Sequence, residues 1–176
     1  DAYQNTHQRV SEDRICDLVL TGSRIFADIW RSAADYHGEF LFDGLPRNDC
    51  LFHITPEAKN AVLQRLGIDP KDKILLYAPT FSDHSSDRDI ISDLDISAAL
   101  QCLKEKTGDN WIGLIRAHSA DKLPVNGTRE ELTDVSGYPD MADLLMISDF
   151  LITDYSSCAG DFAFTGKPES EIPGAG

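Results

Sequence analysis

The stretch from Ile147 to Gly166 constrains what this chain can fold into more than any other. It opens with a short apolar run, Phe150 to Ile152, too short for a helix and suited to a buried parallel strand. Hydropathy then breaks at Thr153-Asp154-Tyr155-Ser156-Ser157, and apolar residues return at Ala159, Phe162, Ala163 and Phe164 with a spacing that fits a helix. A polar run therefore falls where a strand ends and a helix begins. The first turn of a helix carries unpaired backbone N–H groups, and its dipole favours an anion. Ligands of open parallel sheets collect beyond the carboxyl ends of the strands. Ser156 and Ser157 could hold a phosphate at such a place, or one of them could simply cap the helix. Taken alone, these residues favour the cap.

A length of 176 residues, 41% of them apolar, supports one substantial domain, or one domain and part of another. No run approaches the length of a membrane-spanning helix, and the start has no signal-peptide pattern. The chain opens on Asp1 rather than Met and ends, from Glu171 to Gly176, without a docking pattern, so both are expected to be cut edges of a longer protein. Cys16, Cys50, Cys102 and Cys158 are scattered and read as reduced thiols of a cytosolic protein, not as a disulfide frame or zinc site. A net charge of −14 argues against a general nucleic-acid or anionic-membrane surface. Any phosphate would have to be held by a local cluster against that field.

Residues 1–16 are polar and weakly patterned. Asp17 to Ser23 repeats the strand-break-helix theme, and a helix is predicted from Ser23 to Ala34 with Ile25, Phe26, Ile29 and Trp30 on one face, a stripe expected to be core. Glu39 to Gly44 reads as a short strand leading into Leu45-Pro46-Arg47-Asn48-Asp49, a turn with a capped short helix, or a place where Arg47 could reach an anion. A helix from Pro56 to Leu66 has Thr55 as its cap and Gly67 as its stop. The polar turn Asp69 to Asp72 is the expected domain seam.

Lys73 to Ala78 is a buried strand ending in Pro79-Thr80-Phe81-Ser82, and the acids of the following loop, Asp83 to Asp89, read better as solvated charges than as metal ligands. A helix is predicted from Ser97 to Lys106, then a strand from Trp111 to Ile115 that ends at Arg116-Ala117-His118. A cation and an imidazole there fit a phosphate-handling pair, or a surface arginine and a hydrogen-bonded histidine. After a polar loop from Ser119 to Arg129 come a strand at Leu132 to Val135, a turn at Ser136 to Asp140 and a helix from Met141 to Ile147 capped by Asp140. Alternation of this kind from Lys73 onward gives a parallel sheet with helices on its faces. Four strand ends then bring Thr80, Arg116 with His118, Ser136 with Tyr138, and Asp154 to Ser157 to one edge. That convergence moves the reading from capping towards a binding cleft.

The residues along this path resemble the CDP-glycerol glycerophosphotransferases, the teichoic-acid primases and polymerases. The resemblance is carried, in order, by Gly44-Leu45-Pro46-Arg47-Asn48-Asp49, Leu76 to Thr80, Arg116-Ala117-His118, Asp134 to Asp140, Ser148-Asp149, Thr153 to Ser157, Asp161-Phe162-Ala163 and Lys167-Pro168. It implies an α/β fold, the C-terminal donor-binding half of a two-domain GT-B glycosyltransferase, with a Rossmann-like parallel sheet and helices on both faces. Residues 1–70 would be the end of the acceptor-side domain with the interdomain segment, and residues 71–176 the nucleotide-donor domain, truncated. It implies transfer of glycerol phosphate from CDP-glycerol to a lipid-linked acceptor, with no cofactor and no metal, at the inner face of a bacterial membrane. By position, His118 is expected beside the donor pyrophosphate in a catalytic role, with Arg116, Thr80, Asp154, Ser156 and Ser157 as donor contacts. Ser136, Tyr138 and Asp140 are expected near the cytidine, and Arg47 near the domain junction.

Departures from the family pattern bear on activity. The upstream Trp-His-Gly-Thr segment with the family's presumed base histidine is absent, and neither His7 nor His37 has that context. Phe81-Ser82 replaces the usual Trp-Arg, Gly160 stands where a large apolar residue is usual, and Glu169 to Gly176 does not continue as an apolar strand. A CDP-ribitol or nucleotide-sugar donor, and a nucleotide-binding domain without turnover, are the alternative readings.

Overall fold

A computed structural model of the chain describes residues 16–79, 95–117, 132–154 and 156–171. The chain divides into two compact units, Asp1–Asp49 and Cys50–Gly176.

In the first unit, β1 (Leu18–Leu20) and β2 (Glu39–Leu41) pair in parallel, joined by helix α1 (Arg24–Ala34). Ser23 caps α1 by accepting from the Phe26 amide at 3.2 Å, and the helix stops at Asp35 in the left-handed region. The apolar stripe of α1 departs from expectation. Ala27 is buried, but Ile25, Phe26 and Ile29 are 73%, 60% and 51% exposed. Among the described residues of this unit, two strands of three residues offer too little surface to cover that face. The second strand is also shorter than predicted, because the chain turns away after Leu41 and Gly44 takes a positive φ of 75°. Tyr36 is fully buried, donates to the Glu39 carbonyl at 3.0 Å and packs edge-on against Phe40. A short 3-10 turn, Pro46–Asn48, closes the unit.

The second unit takes in all but the first residue of α2 (Asp49–Phe52), then α3 (Pro56–Leu66), whose cap at Thr55 and left-handed stop at Gly67 are as predicted. Its sheet contains β3 (Lys73–Ala78), β4 (Trp111–Ile115), β5 (Leu132–Asp134), β6 (Phe150–Thr153) and β7 (Glu169–Glu171), all parallel, in the order β5-β4-β3-β6-β7. Helices α4 (Ile96–Thr107), α5 (Met141–Ile147) and α6 (Ser157–Phe162) connect them. Alternation along the strands sends Ile74, Leu76, Leu114 and Leu151 into one core with Val62 and Leu63 of α3 and Leu144 and Ile147 of α5. Leu75, Tyr77, Ile115 and Ile152 enter another core with Ile96 and Leu100 of α4. Both faces of the central strands are therefore covered, which is why they read as unbroken apolar runs.

Strand β7 corrects the sequence reading. Glu169–Glu171 pairs with Leu151–Thr153 although its sequence is polar. An edge strand needs backbone pairing on one side only, and charged side chains suit it.

Candidate functional site

Strand order sets the location of the site. From β3 the chain steps outward to β4 and β5, then returns to place β6 on the other side of β3. The crevice beyond the carboxyl ends of β3 and β6 is therefore the topological switch point, where open α/β sheets bind ligands.

Thr153, the last residue of β6, is fully buried and donates its hydroxyl to the Ala78 carbonyl at 2.6 Å. Its Oγ1 also accepts from Cys158 Sγ at 3.7 Å, so one hydroxyl ties β3, β6 and α6 together at the floor of the crevice. Asp154 follows, half-buried. Ser156 caps α6, accepting from the Cys158 amide at 3.4 Å, and Ser157 is its exposed first residue. The capping role read in the sequence is therefore real and belongs to Ser156.

The neighbouring strand end is built differently. The Arg116 amide donates to the Tyr77 carbonyl at 2.9 Å, which continues the β3–β4 ladder one residue past β4. The Arg116 side chain is half-buried, and its Nη1 is buried without a hydrogen-bond partner among the described residues. A buried guanidinium nitrogen left without an acceptor costs about 1–3 kcal/mol, and an anion would relieve that cost. Ala117 is next, and its amide donates to Ser136 Oγ at 2.9 Å. The ends of β4 and β5 are thereby fastened together.

Ser136 also receives order from Asp134, whose Oδ1 accepts from the Ser136 amide at 2.8 Å. Two residues on, Tyr138 is buried. Its hydroxyl donates to Asp143 Oδ2 at 2.8 Å and accepts from Arg65 Nη1 at 2.9 Å. Burial first, then the bond to Asp143, raise the phenol's pKa above its ordinary value, so it stays protonated and can donate. Asp140 is exposed and caps α5 through the Ala142 amide at 2.9 Å.

The structure thus gathers Arg116, Ser136, Tyr138, Asp140, Asp154, Ser156 and Ser157 on one edge of the second unit. Thr80 and His118 lie outside the described residues, as do the Phe81-Ser82 departure and the acidic loop. Arg47 belongs to the first unit, where it is exposed and borders a cavity of about 570 Å³ lined by Val19, Leu20, Phe26, Trp30 and Phe40. Among the described residues no group of three His, Cys, Asp or Glu side chains could hold a metal ion, and no helix is long and apolar enough to cross a membrane.

Sequence reasoning gave no role to Arg65 or Asp143. A cation in the last turn of a helix and an acid in the first turn of another are too common to single out. Asp149 and Lys167 were part of the resemblance without a role. Asp149 accepts from the Ile74 amide at 3.1 Å and from Lys73 Nζ at 3.3 Å, while Lys167 Nζ donates to the carbonyls of Met146 and Ser148 at 3.1 and 2.5 Å. Both stand at the amino edge of the sheet, opposite the crevice, and fasten α5 and β7 to β3.

Residues 1–169 match the family model described as CDP-glycerol:poly(glycerophosphate) glycerophosphotransferase. A teichoic acid glycerol-phosphate transferase of Staphylococcus aureus is 32% identical over 171 residues, covering 95% of this chain and 43% of that protein. A teichoic acid poly(glycerol phosphate) polymerase of Bacillus spizizenii is 34% identical over 155 residues, covering 86% of this chain and 39% of that protein. Among solved structures, a histidine-to-asparagine variant of the wall teichoic acid polymerase TagF soaked with CDPG superposes with a TM-score of 0.71 at 31% identity, over 89% of this chain and 37% of that one. The chain therefore spans about two-fifths of the length of these relatives. Its doubly wound parallel sheet is the Rossmann-like fold of a GT-B glycosyltransferase half. On the family model, the identity and the superposition together, the chain belongs to the CDP-glycerol:poly(glycerophosphate) glycerophosphotransferase family.

Proposed function

We propose that this chain carries the donor-binding half of a transferase that moves glycerol phosphate from CDP-glycerol to a hydroxyl of a lipid-linked acceptor in teichoic-acid or related polymer synthesis. On this reading residues 71–176 form the donor domain and residues 1–70 the end of the acceptor-side domain with the interdomain segment, whose residues 50–70 pack into the same compact unit as the donor domain. An acceptor oxygen attacks the β-phosphorus, the bond from that phosphorus to the bridging oxygen breaks, and CMP leaves with the electron pair. Such a reaction needs a base for the hydroxyl proton and positive groups for the charge that builds on the diphosphate.

The observation that carries this reading is the buried Nη1 of Arg116, without a hydrogen-bond partner among the described residues, at the carboxyl edge of the sheet. On this reading it is the cation that meets the diphosphate in a chain of net charge −14. Ser156, Ser157 and the backbone at the start of α6 are proposed contacts to the same group, and Asp154 and Thr80 line it. His118 is proposed beside the bridging oxygen, two residues beyond Arg116. The Ser136–Asp140 turn is proposed on the nucleotide side, and Arg47 near the domain junction. The relatives are named for teichoic acid synthesis, and on this reading the protein works in the cytoplasm at the inner face of a bacterial membrane.

Isothermal titration of CDP-glycerol into the protein tests the reading. Arg116→Gln is expected to weaken binding about tenfold, the loss of one charge-assisted hydrogen bond. Ser156→Ala and His118→Ala are expected to weaken it in the same direction. Unchanged affinity in Arg116→Gln would remove the diphosphate from this edge. A parallel series with CDP-ribitol and UDP-linked sugars separates the glycerol donor from the alternatives.

A further inference from the structure

We infer that Arg65, Tyr138 and Asp143 form a clasp that fixes the shape of the Val135–Asp140 turn, so that Tyr138 and Arg65 are positioning residues for the nucleotide rather than contacts to it. The inference rests on the proposed donor site. Both hydrogen-bonding directions of the Tyr138 hydroxyl are in use, one towards Asp143 on α5 and one from Arg65 on α3. Two of the three members are charged, which makes these bonds stronger than neutral ones. The Arg65 guanidinium also sits 6.0 Å from the centre of the Tyr138 ring, and its Nη1 lies 3.7 Å from Asp143 Oδ2. Two helices distant in sequence therefore grip one side chain of the turn.

The other polar side chain of the turn is engaged as well. Ser136 Oγ accepts from the amide of Ala117, which lies between Arg116 and His118. Shape is thus passed from the clasp, through the turn, to the strand end that carries the proposed diphosphate cation. Backbone is among what the turn leaves outward: Gly137 is exposed beside Pro139 and Asp140, and a Cβ placed at Gly137 would meet nothing within 4 Å. A turn that presents backbone groups to a ligand must be held from behind, since ordering it on binding would cost affinity.

Tyr138→Phe keeps the ring and removes both bonds. Two readouts on the protein test the clasp. Without ligand, hydrogen exchange at the Ala117 and Tyr138 amides is expected to quicken about tenfold in Tyr138→Phe; unchanged exchange overturns the clasp. With CDP-glycerol, the Kd is expected to rise at least fivefold in Tyr138→Phe and in Asp143→Asn, and less in Arg65→Lys, which keeps the charge. Ile96→Val, which trims the core on the other sheet face, is expected to leave Kd within twofold. If Ile96→Val weakens binding as much as Tyr138→Phe does, the effect is loss of stability and the positioning role falls. If the unaltered protein binds no CDP-glycerol, the donor reading fails, while the exchange measurement still decides the clasp.

Discussion

Lys167 shows how one side chain can be stable and poorly placed at once. Its ammonium donates to two carbonyls, yet burial, then the nearby Lys59 and Lys73, pull its pKa down to about 8, with Asp149 pulling the other way. Its ordinary value is 10.5. Between those two pH values the unfolded chain binds more protons than the folded one, so stability rises with pH. The contribution is complete above the ordinary value and is lost as pH falls through about 8. Compared with Lys167→Met, the natural protein should gain about 1 kcal/mol on going from neutral pH to about pH 10, a figure reduced for solvent screening of a partly exposed group. Urea unfolding of both proteins at the two pH values checks this, and a difference that does not move with pH would contradict it.

At the scale of elements, the long apolar strands and the capped helices were legible because their signals are local. Ile74 to Ala78 and Trp111 to Ile115 are continuous runs without a polar side chain other than the Tyr77 phenol, and Thr55-Pro56 with Gly67 marks α3 at both ends. Glu169–Glu171 was not legible, since its pairing depends on the free edge of β6 and not on its own side chains. The α1 stripe was misread for a related reason: periodicity reports that a face is apolar, not what lies against it. Arg116 and Ser156 stand out in the sequence through their positions at strand ends, whereas the Arg65 partnership with Tyr138 spans 73 residues and leaves no local trace. Thr153 was placed in the polar break, but it completes β6 and anchors it to β3. Thr153→Val should keep the packing and lose the bond to the Ala78 carbonyl, with a drop in stability of about 1–2 kcal/mol. Chemical denaturation would measure it, and a neutral result would mean that the hydroxyl contributes nothing at the crevice floor.

For the whole molecule, the account depends on sheet topology turning separate sequence motifs into one edge. Arg116 follows β4, the Ser136 turn follows β5 and Ser156 follows β6, and parallel pairing of all five strands sends these ends the same way. A crystal structure of the protein with CDP-glycerol tests this most directly. The account predicts the diphosphate beyond the carboxyl ends of β3 and β6, within hydrogen-bond distance of Arg116 and of the backbone at Ser156, with His118 beside it. A diphosphate at the amino edge near Lys73 and Lys167, or out of reach of Arg116, would contradict it.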